Sequence, residues 1–162
     1  MKTNKRLIFN ILIIFLIFFV DQISKLLIVN YLNSSDTVIY LTSFLNLQLV
    51  WNNGIAFGLL SFDNNLYYNL ISLIIFIVII VLLIFVKNQD NHAFFYSMII
   101  GGALGNLIDR IRHSSVPDFI DFHISNFHWF VFNIADIFIS LGVFCLIIAE
   151  IFFNKNNLND KI

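Results

Sequence analysis

Twenty-one consecutive residues, Leu66–Val86, carry no charged side chain. As an α-helix rising 1.5 Å per residue, such a run is about 31 Å long, the thickness of a bilayer's hydrocarbon core. A helix apolar on every side cannot sit at the surface of a water-soluble domain. The rest of the chain agrees: 59% of its 162 residues are hydrophobic and only 12% are charged, where soluble domains carry about 25%. The expectation is an α-helical integral membrane protein, with residues 1–162 forming one membrane-embedded domain. A net charge of −1 lacks the basic face that nucleic acid requires. The single cysteine, Cys145, lies in an apolar run and is expected to serve packing.

Four spans are readable. Lys2, Lys5 and Arg6 precede an apolar run, Leu7–Val20, which has the outline of a secretory signal peptide. No small-x-small cleavage site follows. Asp21-Gln22-Ile23-Ser24-Lys25 interrupts the run and Leu26–Leu32 resumes it, so residues 7–32 read as a retained helix. Residues 66–86 form the second span and 93–108 the third. Gly101, Gly102, Ala103 and Gly105 give the third a small-residue face for close helix approach. Residues 134–153 form the fourth. An even number of spans returns both termini to one side. Six of the nine Lys and Arg residues (Lys2, Lys5, Arg6, Lys87, Lys155 and Lys161) lie at the termini or in the 87–91 loop. The positive-inside rule makes that side cytoplasmic.

Between spans, Asn33–Asp36 reads as a turn and Thr37–Leu41 as β-prone. Leu45, Leu47, Leu49 and Trp51 alternate with Asn46, Gln48 and Val50, the period of a strand. Ser61–Asn65 reads as another loop, and Arg112–Val131 as a second segment outside the membrane. With this topology, the polar residues at the ends of spans one and three and at the start of span four converge on the outer face. Polar groups gathered beside lipid are costly and mark function.

Several chemistries compete for that cluster. Asp21 and Lys25, four residues apart, suit a buried ion pair. Asp118 and Asp136 near lipid would share a proton, as an acid–base carboxylate pair does. Aspartates at helix ends also act as caps, and spacing alone leaves both roles open. Asp118, Asp121, His113, His123 and His128 are possible zinc ligands. No helical metal motif is present, and strand alternation turns Asp121 and His123 away from Asp118, with Asp121 expected on the solvent side. No GxSxG elbow supports a serine nucleophile. A proton or solute pathway is a rival of another class, although the polar groups sit at one interface and no inverted repeat is visible.

The ordered set Asp21-Gln22-x-Ser24-Lys25, Asn52-x-Gly54-x-Ala56-Phe57, GGALGNLIDR at Gly101–Arg110, Val116-x-Asp118-Phe119-Ile120 and Phe132-Asn133-x-Ala135-Asp136 resembles the lipoprotein signal peptidase family, also called signal peptidase II. The resemblance spans nearly the whole chain. It implies four transmembrane helices with a small extracytoplasmic β-sheet cradle and a mobile flap. It implies an aspartyl endopeptidase of the bacterial cytoplasmic membrane, with its active site near the outer leaflet. Its substrates would be diacylglyceryl-modified prolipoproteins, cut just before the lipidated cysteine. The catalytic pair falls on Asp118 and Asp136. Supporting positions fall on Asp21, Lys25, Asn52, Gly54, Asn106, Asp109, Arg110, Asn133 and Ala135. Membrane lipid and substrate are the implied partners of a monomer, with no metal, organic cofactor or nucleic acid. Trp51 stands where many members carry a basic residue or histidine. Pro117 removes a strand hydrogen bond and predicts an edge or bulge there.

Overall fold

The computed structural model describes residues 2–32, 38–54, 65–88, 91–125 and 127–159. The turn at 33–36, Thr37, the motif positions Ala56 and Phe57, and residues 61–64 lie outside the described residues. Four long helices are present: α1 (Lys2–Leu32), α2 (Asn65–Lys87), α3 (Ala93–His113) and α4 (Ile134–Asn159). Four strands, β1 (Ile39–Tyr40), β2 (Leu45–Asn52), β3 (Val116–Ile124) and β4 (Phe127–Phe132), form one antiparallel sheet in the order β1-β2-β3-β4.

Helix α3 is the hub, packed against α1, α2 and α4. Stretches of α1, α2 and α4 are long and apolar enough to cross a membrane, over Lys5–Leu32, Tyr68–Lys87 and Ile134–Phe152. α3 is less apolar because its sides face other helices and a polar cluster rather than lipid. It also runs five residues past the expected end at 108. Asn106, Asp109 and Arg110 are therefore buried within a helix, where they had been placed at its end. Ser114, in the left-handed conformation, closes it with its N–H on the Arg110 carbonyl at 3.0 Å.

The glycine cluster explains the close packing. A Cβ at Gly102 would stand 2.5 Å from the Ala135 carbonyl oxygen of α4, and one at Gly101 would stand 2.9 Å from the Ile17 Cβ of α1. Away from these seams the helices bury an apolar centre of Ile14, Ile79, Val86, Ile100, Ala103 and Leu107. Their outer faces show Leu12, Phe15, Leu16, Ile74, Ile77, Phe144 and Ile151, surface that only lipid would cover. At one end, Arg6 Nη2 donates to the Asn91 carbonyl at 3.3 Å, joining the start of α1 to the α2–α3 loop.

The sheet lies at the other end. β2 pairs with β3 from Leu45↔Phe122 to Asn52↔Val116, so residues 64 to 77 positions apart are stitched together. β4 joins β3 only from Ile120 onward. Pro117 therefore sits where one side of β3 has no strand neighbour among the described residues, and its missing N–H costs no ladder bond.

Candidate active site

The site is assembled in two layers. The lower layer is an ion cluster between α1 and α3. Lys25 Nζ lies 2.7 Å from Asp21 Oδ2, 2.7 Å from Asp109 Oδ2 and 2.8 Å from Asn106 Oδ1. An ammonium has three protons to donate, so Lys25 is saturated. Asp21 Oδ1 accepts the Ala135 N–H at 2.8 Å, which pins α4 to α1. Gln22 Nε2 adds a bond to Asp109 Oδ1 at 3.2 Å and another to the Gly105 carbonyl at 3.3 Å. Gly105 is required here because a Cβ would collide with the Asp21 carboxylate.

The upper layer holds two carboxylates. Asp118, on β3, receives Asn52 Nδ2 on Oδ2 at 2.8 Å and Asn133 Nδ2 on Oδ1 at 2.6 Å. Asp136, in the first turn of α4, receives Asn106 Nδ2 on Oδ1 at 2.8 Å and the Asn133 backbone N–H on Oδ2 at 3.2 Å. In return the Asp136 N–H donates to Asn133 Oδ1 at 3.1 Å. That reciprocal pair is a capping box, with Asn133 as the cap. Asp136 thus caps its helix and faces the site as well; the two roles left open by spacing coincide.

The layers are wired together. Because Lys25 is a cation, the Asn106 amide must turn its oxygen toward it, and its NH2 then faces Asp136. Asn133 Nδ2 also lies 3.2 Å from Asn106 Oδ1, so its NH2 is oriented toward Asp118. Burial pushes the Asp118 carboxyl up to about 7, with the nearby Asp136 charge as the second cause; the bonds from Asn52 and Asn133 pull partly the other way. Two carboxyls buried side by side resist ionising together.

Arg110 closes the rim. Its Nη2 donates to the Gly54 carbonyl at 3.2 Å and its Nη1 to the Asn106 carbonyl at 3.3 Å, while the buried Nε–H has no partner among the described residues. Gly54 is held in turn by its N–H on Asn52 Oδ1 at 2.8 Å. A cavity of about 290 Å³ runs from Asp136, Asn106 and Arg110 along Ile74, Val78 and Ile139, between α2, α3 and α4.

All eleven positions singled out from the sequence meet in this network. Gln22, which stood only inside a motif, is an added member. One expectation is overturned: Asp121 is not on the solvent side but 1% exposed. Asn46 Nδ2 donates to its Oδ2 at 3.3 Å, and His128 Nδ1 lies 2.8 Å from the same oxygen. The β4 strand, unrecognised as a separate strand in the sequence, supplies that histidine and covers the carboxylate. The polar position Asn46, opposite Asp121 in register, was the available signal.

Helices sized for a bilayer, with a buried acidic site under a small sheet at one end, define an integral membrane protein with an enzyme-like centre. The family model described as Signal peptidase (SPase) II matches residues 13–152, and the chain belongs to that family. It is 48% identical over 159 residues to a lipoprotein signal peptidase of Pelagibacter ubique, covering 97% of this chain and 96% of the relative. A lipoprotein signal peptidase of Thermodesulfovibrio yellowstonii is 44% identical over 130 residues, covering 80% and 86%. A solved bacterial membrane enzyme superposes with a TM-score of 0.78 at 32% identity, over 91% of this chain and 90% of the other. The chain is a membrane peptidase of the signal peptidase II type.

Proposed function

We propose that this peptidase is an aspartyl endopeptidase that removes the signal peptide from diacylglyceryl-modified bacterial prolipoproteins, cutting just before the lipidated cysteine. One observation carries the reading: Asp118 and Asp136 are buried together, their four oxygens accept amide N–H groups, and burial with the neighbouring carboxylate pushes Asp118 up to about 7. In this reading the ionised carboxylate removes a proton from a water molecule as it attacks the scissile carbonyl. The protonated carboxyl donates its proton to the carbonyl oxygen, giving a gem-diol. As the C–N bond breaks, the leaving amine takes the proton that came from water, a diol hydroxyl returns one to the other carboxylate, and the pair is reset. The Arg110 Nε–H, without a partner among the described residues, is a donor available to a substrate carbonyl.

The apolar cavity between α2, α3 and α4 suits a signal helix arriving from within the bilayer. Lipid tails and signal helix, both confined to the membrane, would set the depth of the cut. Positioning entropy is then met largely by the bilayer. The whole chain acts as one domain, as a monomer in the cytoplasmic membrane. Both termini lie in the cytoplasm and the sheet lies at the outer leaflet.

The test is to incubate purified protein with a diacylglyceryl-modified prolipoprotein and with its unmodified twin. Signal-peptide release from the modified form alone supports the assignment. Equal cleavage of both would overturn the lipid requirement, and solute or proton flux through liposomes without cleavage would overturn the enzyme.

A further inference from the structure

Asp121, His123 and His128 belong to neither layer of the site. They cluster on the β3–β4 hairpin, with one ligand atom from each lying within 4.8 Å of the others. Three features of the fold bring them together. Asp121 and His123 are two residues apart on β3, so alternation points them the same way. His123 and His128 are directly opposed across the hairpin, and their rings stack at 5.0 Å and 18°. An irregularity in pairing between Asp121 and His123 lets His128 Nδ1 reach both Asp121 oxygens, at 2.8 and 3.0 Å.

An Asp121–His128 ion pair would account for only part of this. It gives nothing to His123, whose buried Nδ1 has no partner among the described residues. The carboxylate is 1% exposed and oriented by Asn46, while the His128 side chain is 52% exposed. The cluster thus has a buried, oriented carboxyl group at its base and an imidazole open to water at its mouth. That is how metal-ligating carboxylates are held, with a hydrogen-bonded partner behind them.

We propose that Asp121, His123 and His128 form a binding site for one divalent transition-metal ion of the zinc type, separate from the Asp118–Asp136 pair. Two imidazoles with one carboxylate suit zinc, nickel or copper; calcium and magnesium want oxygen ligands alone. Bonds of about 2.0–2.2 Å to zinc require ligand atoms about 3.3 Å apart. Binding would have to draw the three ligand atoms, now within 4.8 Å of one another, in to that value. A fourth position is left to water. The ion would clamp β4 to β3, three residues beyond Asp118, so its role is to stiffen the strand that presents Asp118 and not to take part in proton transfer.

The experiment uses full-length protein in detergent, stripped with a chelator and dialysed. Zn²⁺ is titrated against a chromophoric competitor, and thermal unfolding is recorded with and without Zn²⁺. One equivalent should bind. His123→Ala and His128→Ala should each weaken binding at least tenfold and abolish the Zn²⁺-dependent rise in Tm. His113→Ala, outside the cluster, should do neither. Each variant's elution as folded protein and its melting curve without metal separate lost ligation from lost fold. Absence of Zn²⁺ uptake by the unaltered protein would overturn the proposal and leave an ion pair. Undiminished binding by His123→Ala and His128→Ala would overturn it too, by placing the ion elsewhere.

Discussion

Asp118 and Asp121 lie three residues apart on one strand, and both are buried, at 2% and 1% exposure. Their surroundings differ in kind. Asp118 meets two amide donors and a second carboxylate; Asp121 meets one amide and an imidazole. Amides stabilise the charged carboxylate only modestly, so burial and Asp136 prevail and push the Asp118 carboxyl up to about 7. The Asp121 oxygens instead lie 2.8 and 3.0 Å from His128 Nδ1. Equal burial on one strand thus comes with different partners, a second carboxyl for Asp118 and an amide with an imidazole for Asp121.

The largest effects should separate these two aspartates outright. Asp118→Asn or Asp136→Asn should each lower cleavage by about 10²–10⁴-fold, the share of general acid–base catalysis. The double variant should lose little more than either single one, since groups working as a unit are strongly non-additive. A cleavage time course on matched, well-inserted protein reads this. Additive losses would mean the two carboxyls act independently.

Next comes the ion cluster beneath the pair. Lys25→Met leaves Asp21 and Asp109 buried beside each other without their cation, at a cost of about 3–5 kcal/mol. It also frees the Asn106 amide to flip, removing the donor that faces Asp136. Both stability in a denaturant titration and cleavage should fall. Unchanged stability would detach this cluster from the fold.

The pH response should follow from Asp118. Its carboxyl is raised from 3.8 to about 7 in the folded state, so between those values the native protein holds more protons than the unfolded chain. Stability from this group is therefore greatest at acid pH and declines as pH rises through that window. Cleavage should likewise fall above about 7 as the shared proton is lost. Asp118→Asn should flatten the stability profile.

Smaller still is the effect of Asp121→Asn itself. It weakens the bond to His128 and should cost about 1–3 kcal/mol of stability while most cleavage survives. Chelation with EDTA should change cleavage least. Activity lost to EDTA and restored by zinc would move the chemistry from Asp118 to the Asp121 cluster.

The same pair of aspartates marks how far the sequence could be read. Long apolar runs carried the four helices, because lipid imposes length and polarity directly on residue type. Motif order carried Asp118, Asp136 and their nine supporting positions. Asp121 was misplaced because strand alternation says which residues share a face but not whether another strand covers it. β4 does cover it, through the His123↔His128 pairing that follows an irregular step. The length of α3 was underestimated for a related reason. Its polar end looks like a loop when read against lipid, yet Asn106, Asp109 and Arg110 find their partners on α1, α4 and the end of β2.

The most direct measurement is an infrared pH titration of the protein in lipid, following the C=O stretch of protonated carboxylic acid. The account predicts a protonated carboxyl that persists well above the usual aspartate range, near 4, and disappears with a midpoint of about 7. The midpoint of about 7 should be lost or displaced in Asp118→Asn. A protein whose carboxyls are all ionised by pH of about 5, or whose band keeps the same midpoint in Asp118→Asn, would contradict the shared-proton pair.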